Sequence, residues 1–164
     1  MAVDIFLKFA DAANIKGESK DKKHPKEIDV LAWSWGMSQS GTFHTGGGGG
    51  AGKVNVNDMS VTKWVDIASY ALMHACATGQ HIDDALLTVR KAGGKEPVEY
   101  IKIKMEKVMV TSINTGGSGG EDRLTENVSL NFAKVTFTYT EQTDKGAGEA
   151  SKDFKWDIEA NAVP

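Results

Sequence analysis

Apolar and polar residues alternate along most of the chain, and this period of two predicts a protein built mainly from β-strands. The first such segment has apolar residues at every second position from Val3 to Phe9. Comparable alternation recurs at residues 85–89, 100–113, 128–139 and 154–158. About seven or eight strands with one helix therefore predict a two-sheet β-barrel or sandwich.

The two longest predicted strands each change their apolar face part-way along. Apolar residues move to the other parity after Lys107 in one strand and near Ala133 in the other. A β-bulge in each strand would produce this change, and so would a strand that crosses from one sheet to another.

One segment has a helical period instead. Between Asp66 and Gly79, apolar residues recur at positions that form a single stripe, and Gly79 suits the left-handed residue that ends a helix. The stripe consists of Ile67, Ala68, Ala71, Leu72, Ala75 and Cys76.

Residues 28–40 are predicted to form a strand with two unlike faces. The bulky face carries Leu31, Trp33, Trp35 and Met37, and we expect it to face the core. The other face carries only small residues, namely Ala32, Ser34, Gly36, Ser38 and Ser40. Small polar side chains suit a close interface or a smooth wall facing a cavity, but an exposed uncharged strand fits the pattern equally well.

Length, charge and cysteine content exclude several classes of function. The 164 residues fit one domain spanning 1–164, and the net charge of -3 supplies no basic field for nucleic acid or an anionic membrane. The single cysteine, Cys76, allows no intramolecular disulfide, and no signal peptide or membrane span is evident. We therefore expect a cytoplasmic origin, with release by a signal-independent route left open.

Glycine is unusually frequent and clustered, with seven of the 18 glycines between Gly41 and Gly52. Within this tract, residues 47–53 satisfy the GxxxxGK pattern of a phosphate-binding loop. However, Val54 stands where magnesium binding needs a hydroxyl, and a strand pattern follows where a helix should begin. A nucleotide-binding enzyme is therefore disfavoured.

The pattern gives little support to the other candidate metal-binding or catalytic residues. His74 and Cys76 point to different sides of the predicted helix, so they and His81 do not form a metal site. His24 and His44 lie in predicted loops and are expected to be solvated. No catalytic, metal or cofactor residue is assigned. The charged residues Glu121, Asp122 and Arg123 form a solvated turn or pair with a neighbouring subunit.

Several segments resemble the haemolysin-coregulated protein (Hcp) family, the tube proteins of bacterial type VI secretion systems. The matching segments are KGES (16–19), EIDVLAWSWG (27–36), QSG (39–41), KVNV (53–56), LTVRKAGG (87–94) and SGGEDRLTENV (118–128). The resemblance covers nearly the whole chain; residues 10–15 and those after Tyr139 are more individual.

The resemblance implies a two-sheet β-barrel with one peripheral helix, assembled as a six-membered ring. Rings stack into a tube that a contractile sheath drives out of the cell behind a VgrG-type spike, with small effector proteins held in the lumen. It implies no catalysis and no cofactor. The expected partners are other copies of the chain, the spike, the sheath and the effectors, without nucleic acid or membrane insertion.

Three groups of residues become site hypotheses within this scheme. Facing the lumen we expect Ala32, Ser34, Gly36 and Ser38. To ring stacking we assign Gly46, Gly47, Gly48, Gly49, Gly50, Ala51 and Gly52, with residues 116–120 as a second candidate. A contact between subunits is assigned to Glu121, Asp122 and Arg123. The main rival is a monomeric ligand- or carbohydrate-binding β-sandwich module.

Overall fold

The computed structural model describes residues 3–44, 50–91, 96–144 and 148–164. The expected mainly-β architecture is confirmed, with nine strands and one α-helix in these ranges. The strands are β1 (Val3–Phe9), β2 (Ile28–Ser34), β3 (Met37–Ser38), β4 (Asn55–Val56), β5 (Met59–Trp64), β6 (Ile82–Lys91), β7 (Val98–Thr115), β8 (Thr125–Gln142) and β9 (Gly148–Asp157). The helix α1 spans Ala68–Thr78, and a short 3₁₀ turn spans Asp11–Ala13.

Six strands close into a barrel. They follow the order β5-β2-β1-β6-β7-β8, and β5 also pairs with β8, which joins the two ends of the sheet. Strand β9 continues the sheet beyond β8 and lies outside this ring of six, while β3 and β4 form a separate two-stranded ribbon. The barrel encloses one core, built from the inward residues of all six strands.

The predicted change of face in β7 and β8 occurs at one shared bend. The buried residues of β7 pass from Met105 to Val108 across Lys107, whose φ is 54°. Pairing with β8 keeps the same register on both sides of the bend. The first part of β8 pairs with β5 and the later part with β9. The change of face in β8 therefore occurs where this strand passes from one neighbouring strand to another.

The helix ends as predicted. Gly79 adopts a φ of 65°, and its backbone N–H donates to the carbonyl of Ala75. The buried side of α1 carries Ala68, Ser69, Leu72 and Ala75. Ile67, which the pattern placed on the apolar stripe, is 57% exposed because it lies before the first helical residue.

The expectation that His24 is solvated is wrong, since this side chain is only 7% exposed. Its ring stacks on Phe6 with the centroids 4.3 Å apart. Nδ1 lies 2.9 Å from Oε2 of Glu27, and Nε2 lies 2.8 Å from Oε1 of Glu99. Residues 16–27 therefore fold back onto the outer face of β1 and β7 instead of extending into solvent.

A second ionic contact holds the same loop. Arg90 in β6 donates from Nη2 to Asp21 at 2.6 Å and to Asp4 at 2.8 Å. The hydrogen bond from Arg90 holds the pKa of Asp21 well below its usual range. The folded state therefore releases the Asp21 proton more readily than the unfolded chain does.

We predict that Asp21 contributes stability at neutral pH that is lost in acid. A lowered pKa in the folded state gives stabilisation that is fully present above about pH 4, the usual pKa of Asp, and that disappears as the pH falls further. Urea unfolding at pH 7, 5 and 3 should show Asp21→Asn less stable at pH 7, with a smaller loss on acidification. The control Asp83→Asn, at an exposed aspartate of β6, should follow the unaltered chain. Equal acid slopes for Asp21→Asn and the unaltered chain would contradict the assignment.

Candidate functional site

Small uncharged side chains cover the outer face of four neighbouring strands, which lie in the order β2-β5-β8-β7. The strand registers place four serines in one row across these strands. Ser34 pairs with Ser60, Ser60 with Ser129, and Ser129 with Ser112.

A second row lies beside the serines. Ala32 pairs with Thr62, Thr62 with Asn127, and Asn127 with Asn114. Within this row the hydroxyl of Thr62 donates to Oδ1 of Asn127 at 2.7 Å. We call these two rows of eight residues the uncharged face.

The uncharged face points outward because its neighbours along each strand point inward. Val61 and Val128 are buried in the barrel, and Trp33 packs against the core. Successive side chains of a strand alternate between the two sides of a sheet. The barrel therefore presents hydroxyls, amides and two methyl groups on this side, with no charged side chain among the eight.

Two of the four residues predicted to face a cavity lie on the uncharged face. Ala32 and Ser34 are exposed there, but β2 ends at Ser34, so Gly36 and Ser38 do not continue it. The indole of Trp35 donates to the carbonyl of Asn57 at 3.1 Å, and Ser38 pairs with β4 instead. The prediction of one strand over residues 28–40 is therefore wrong.

The prediction that the bulky face of this segment lies in the core holds only in part. Trp33 and Trp35 pack against the core, whereas Leu31 is 41% and Met37 40% exposed. The register shifts between Val30 and Ala32, which displaces Leu31 from the inward side.

Sequence reasoning missed six residues of the uncharged face. They are Ser60, Thr62, Ser112, Asn114, Asn127 and Ser129. A signal was present, since each alternates with an apolar residue in its own strand. Only the strand order, however, shows that these residues share a surface with Ser34.

The charged loop proposed for subunit contacts lies at one end of the uncharged face. Glu121, Asp122 and Arg123 are exposed, and the guanidinium of Arg123 lies 4.4 Å from the ring centroid of Trp64. These residues and Thr125 line an open cleft of about 440 Å³. The cation–π contact fixes Arg123 at the surface, but a role between subunits stays a prediction.

A buried ionic network lies on the inner side of the same strand ends. Lys63 Nζ donates to Glu126 Oε1 and forms an ion pair with Asp66 at 2.8 Å. Ser69 of α1 donates to the same Glu126 oxygen at 2.6 Å. Lys63 and Glu126 are fully buried, so the network ties β5, β8 and the start of α1 together without solvent.

Most of the glycine tract assigned to ring stacking falls outside the described residues, which omit Gly46 to Gly49. The described ends of the tract approach each other. Gly41 forms a bridge with Ala51, and the hydroxyl of Thr42 donates to the carbonyl of Gly50 at 2.8 Å. The ring-stacking assignment therefore stays a prediction.

The residues weighed for catalysis or metal binding are scattered. His74 is exposed on α1, Cys76 is half-buried, and His81 is exposed just before β6. In the part of the chain that the structure describes, no group of three or more His, Cys, Asp or Glu side chains is placed to hold a metal ion. After Lys53 the chain enters β4, so the helix that a phosphate-binding loop requires does not follow.

Comparison with known proteins identifies the family. A family model described as "Type VI secretion system effector, Hcp" matches residues 6–139. The chain belongs to the Hcp family. It is 58% identical to Protein hcp1 of Pseudomonas aeruginosa over 162 residues, which cover 98% of both chains.

Solved structures of the family share this fold. A type six secretion system protein superposes with a TM-score of 0.90 at 30% identity, covering 98% of this chain and 99% of the other. Hcp1 of Salmonella typhimurium gives a TM-score of 0.78 at 38% identity, with 98% of each chain covered. The expected β-barrel with one peripheral helix is thus the Hcp fold, and the expected hexameric ring is the assembly known for Hcp proteins. An Hcp chain is a subunit of the type VI secretion tube. Among the described residues, no helix combines the length and apolar character needed to cross a bilayer.

We predict that the buried network at the end of the uncharged face contributes strongly to stability. Replacing Lys63 by Met leaves the buried Glu126 carboxylate without its cation, which should lower the free energy of unfolding by about 3–5 kcal/mol. The double variant Lys63→Met/Glu126→Leu should recover part of this loss, because the buried Glu126 carboxylate is removed together with its cation, while Asp66 still lacks Lys63. Lys16→Met removes an exposed ion pair with Asp11 and should have little effect. Urea unfolding compares the three variants, and a similar loss for Lys63→Met and Lys16→Met would contradict the prediction.

Proposed function

We propose that the uncharged face is the wall of the tube lumen, with six copies closing the ring so that these faces surround a common channel. The observation that carries this proposal is the alignment of eight small uncharged residues across four strands. A ring of identical subunits needs a head-to-tail contact that closes after six copies, and stacking needs a second contact between rings.

The chemistry of the uncharged face suits a carrier of diverse passengers. Small side chains leave room in the channel, and their hydroxyl and amide groups form hydrogen bonds with net contributions of only about 1 kcal/mol each. A passenger held by several such contacts is retained while the tube is intact and can be released from it. Within this proposal, small effector proteins occupy the lumen and are protected there.

The remaining assignments complete the proposed assembly. The tract of Gly46 to Gly52 contacts the next ring, and Glu121, Asp122 and Arg123 contact a neighbouring subunit. The whole chain, 1–164, acts as one structural domain without catalysis. It resides in the bacterial cytoplasm before firing and then leaves the cell without a cleaved signal peptide. A contractile sheath drives the tube, and a VgrG-type spike tips it.

A monomeric carbohydrate- or ligand-binding module is not favoured. Trp33 and Trp35 pack against the core and Trp64 is covered by Arg123, so these tryptophans form no open binding platform. The exposed rings lie on separate elements, with Phe43 in a loop and Tyr70 on α1. Light scattering separates the two functions, because a ring has six times the 17.6 kDa mass of one chain.

We predict that Ser34→Trp preserves the ring and reduces passenger retention. A bulky indole at the β2 end of the serine row occupies lumen space without altering the barrel core. The ring is measured by light scattering and retention by pull-down of co-expressed effector proteins. Thr78→Trp, at the exposed end of α1, serves as the matched control and should retain passengers. Undiminished retention by Ser34→Trp would refute the lumen assignment.

We predict that deleting residues 46–50 spares hexamers and abolishes tubes. Ordering a glycine-rich segment costs about 1–2 kcal/mol of backbone entropy per residue, so a stacking contact made by it forms only when the next ring is present. Electron micrographs of the deletion variant should show rings alone. Replacing the same five residues by Gly-Ser-Gly-Ser-Gly keeps the length and should keep the tubes. Tubes of normal length from the deletion variant would exclude this segment from stacking.

A further inference from the structure

One carboxylate borders the uncharged face at the end opposite Arg123. Asp58 lies directly before β5, and its side chain turns to the outer surface of β7 and β8. Its Oδ2 accepts a hydrogen bond from the hydroxyl of Thr111 at 2.8 Å, and its Oδ1 accepts one from the amide of Asn131 at 2.8 Å. Two neutral donors therefore hold the carboxylate in one orientation beside the serine row.

Among the described residues, the charge of Asp58 has no cationic partner. In the described ranges, the ion pairs of the chain involve other carboxylates, and the contacts of Asp58 are the two neutral hydrogen bonds. Its burial is intermediate, so Asp58 is not sealed inside the protein. Asp58 thus differs from Asp21 and Glu126, whose charges are compensated by Arg90 and Lys63.

From this geometry we infer that Asp58 is a specificity-determining residue of the lumen wall, where it binds a lysine or arginine side chain of a passenger. The inference rests on the proposed placement of the uncharged face in the lumen. A cationic donor meets an oriented acceptor at Asp58, and charge-assisted hydrogen bonds are about twice as strong as neutral ones.

The sixfold ring multiplies this preference. Six copies of Asp58 form a ring of carboxylates at one level of the channel, and rings of acidic side chains select for cations in other protein pores. The eight residues of the uncharged face favour neither sign of charge. On this surface Asp58 therefore discriminates between basic and acidic passengers, because its carboxylate repels an acidic side chain and attracts a basic one.

Two short peptides serve as probes, Gly-Ser-Arg-Gly-Ser-Arg-Gly-Ser and the same peptide with Glu in place of Arg. Calorimetric titration of the hexamer at low salt should show tighter binding of the arginine peptide. Asp58→Asn keeps the size of the side chain and removes its charge, and it should weaken binding of the arginine peptide by about tenfold. Asp83→Asn removes an exposed charge from a different strand and should leave that affinity unchanged. Light scattering verifies that each variant remains hexameric.

The results separate the role of Asp58 from the lumen assignment. A selective loss in Asp58→Asn, reduced by added salt, supports the proposal. If Ser34→Trp weakens binding of both peptides while Asp58→Asn retains the full arginine preference, the lumen wall stands and the role of Asp58 is overturned. If neither variant alters binding, the lumen assignment fails and the proposal fails with it.

Discussion

Pairing between β5 and the first part of β8 turns an open sheet into a barrel. Six residue pairs join these strands, from Met59 with Leu130 to Trp64 with Thr125. Their inner side carries Lys63 and Glu126 in a fully buried ion pair, and their outer side ends in the contact of Arg123 with Trp64. Charged groups thus stabilise this pairing of β5 with β8, which we call the joint, on both of its faces. The buried pair needs this geometry because an unpaired charge in the core is costly.

Closure at this joint also determines the surface chemistry of the barrel. Because side chains alternate with a period of two, a slip of one residue between β5 and β8 would turn Val61 or Val128 outward. The buried ion pair disfavours such a slip, since it would move Lys63 or Glu126 to the outer side. The same interaction that closes the barrel therefore keeps the serines of four strands in one row on the outside.

The sequence was sufficient for those features that depend on local patterns. The β-strands, the end of α1 at Gly79 and the change of face near Lys107 all follow from periodicity and backbone preferences within a few residues. The end of β2 at Ser34 was not predictable, because the residue after it, Trp35, donates a hydrogen bond to Asn57, 22 residues away. Burial of His24 depends likewise on Glu99, 75 residues along the chain. Periodicity shows which way a side chain faces and leaves its partners from other strands unknown.

The same distinction applies to the candidate site. The alternation around Ser34 revealed a face of small residues on one strand, which is equally compatible with an exposed edge. The structure adds three neighbouring strands with the same kind of side chain, and it places charged side chains inside the joint and at the two ends of the face. The absence of charge from one strand needs no explanation. Four aligned strands whose outward residues are uncharged form an extended surface of one chemical character, in a chain with 41 Lys, Arg, Asp and Glu residues. That extent is what the proposed channel wall requires, because a passenger would contact many strands at once and one misplaced charge would act on it six times around the ring.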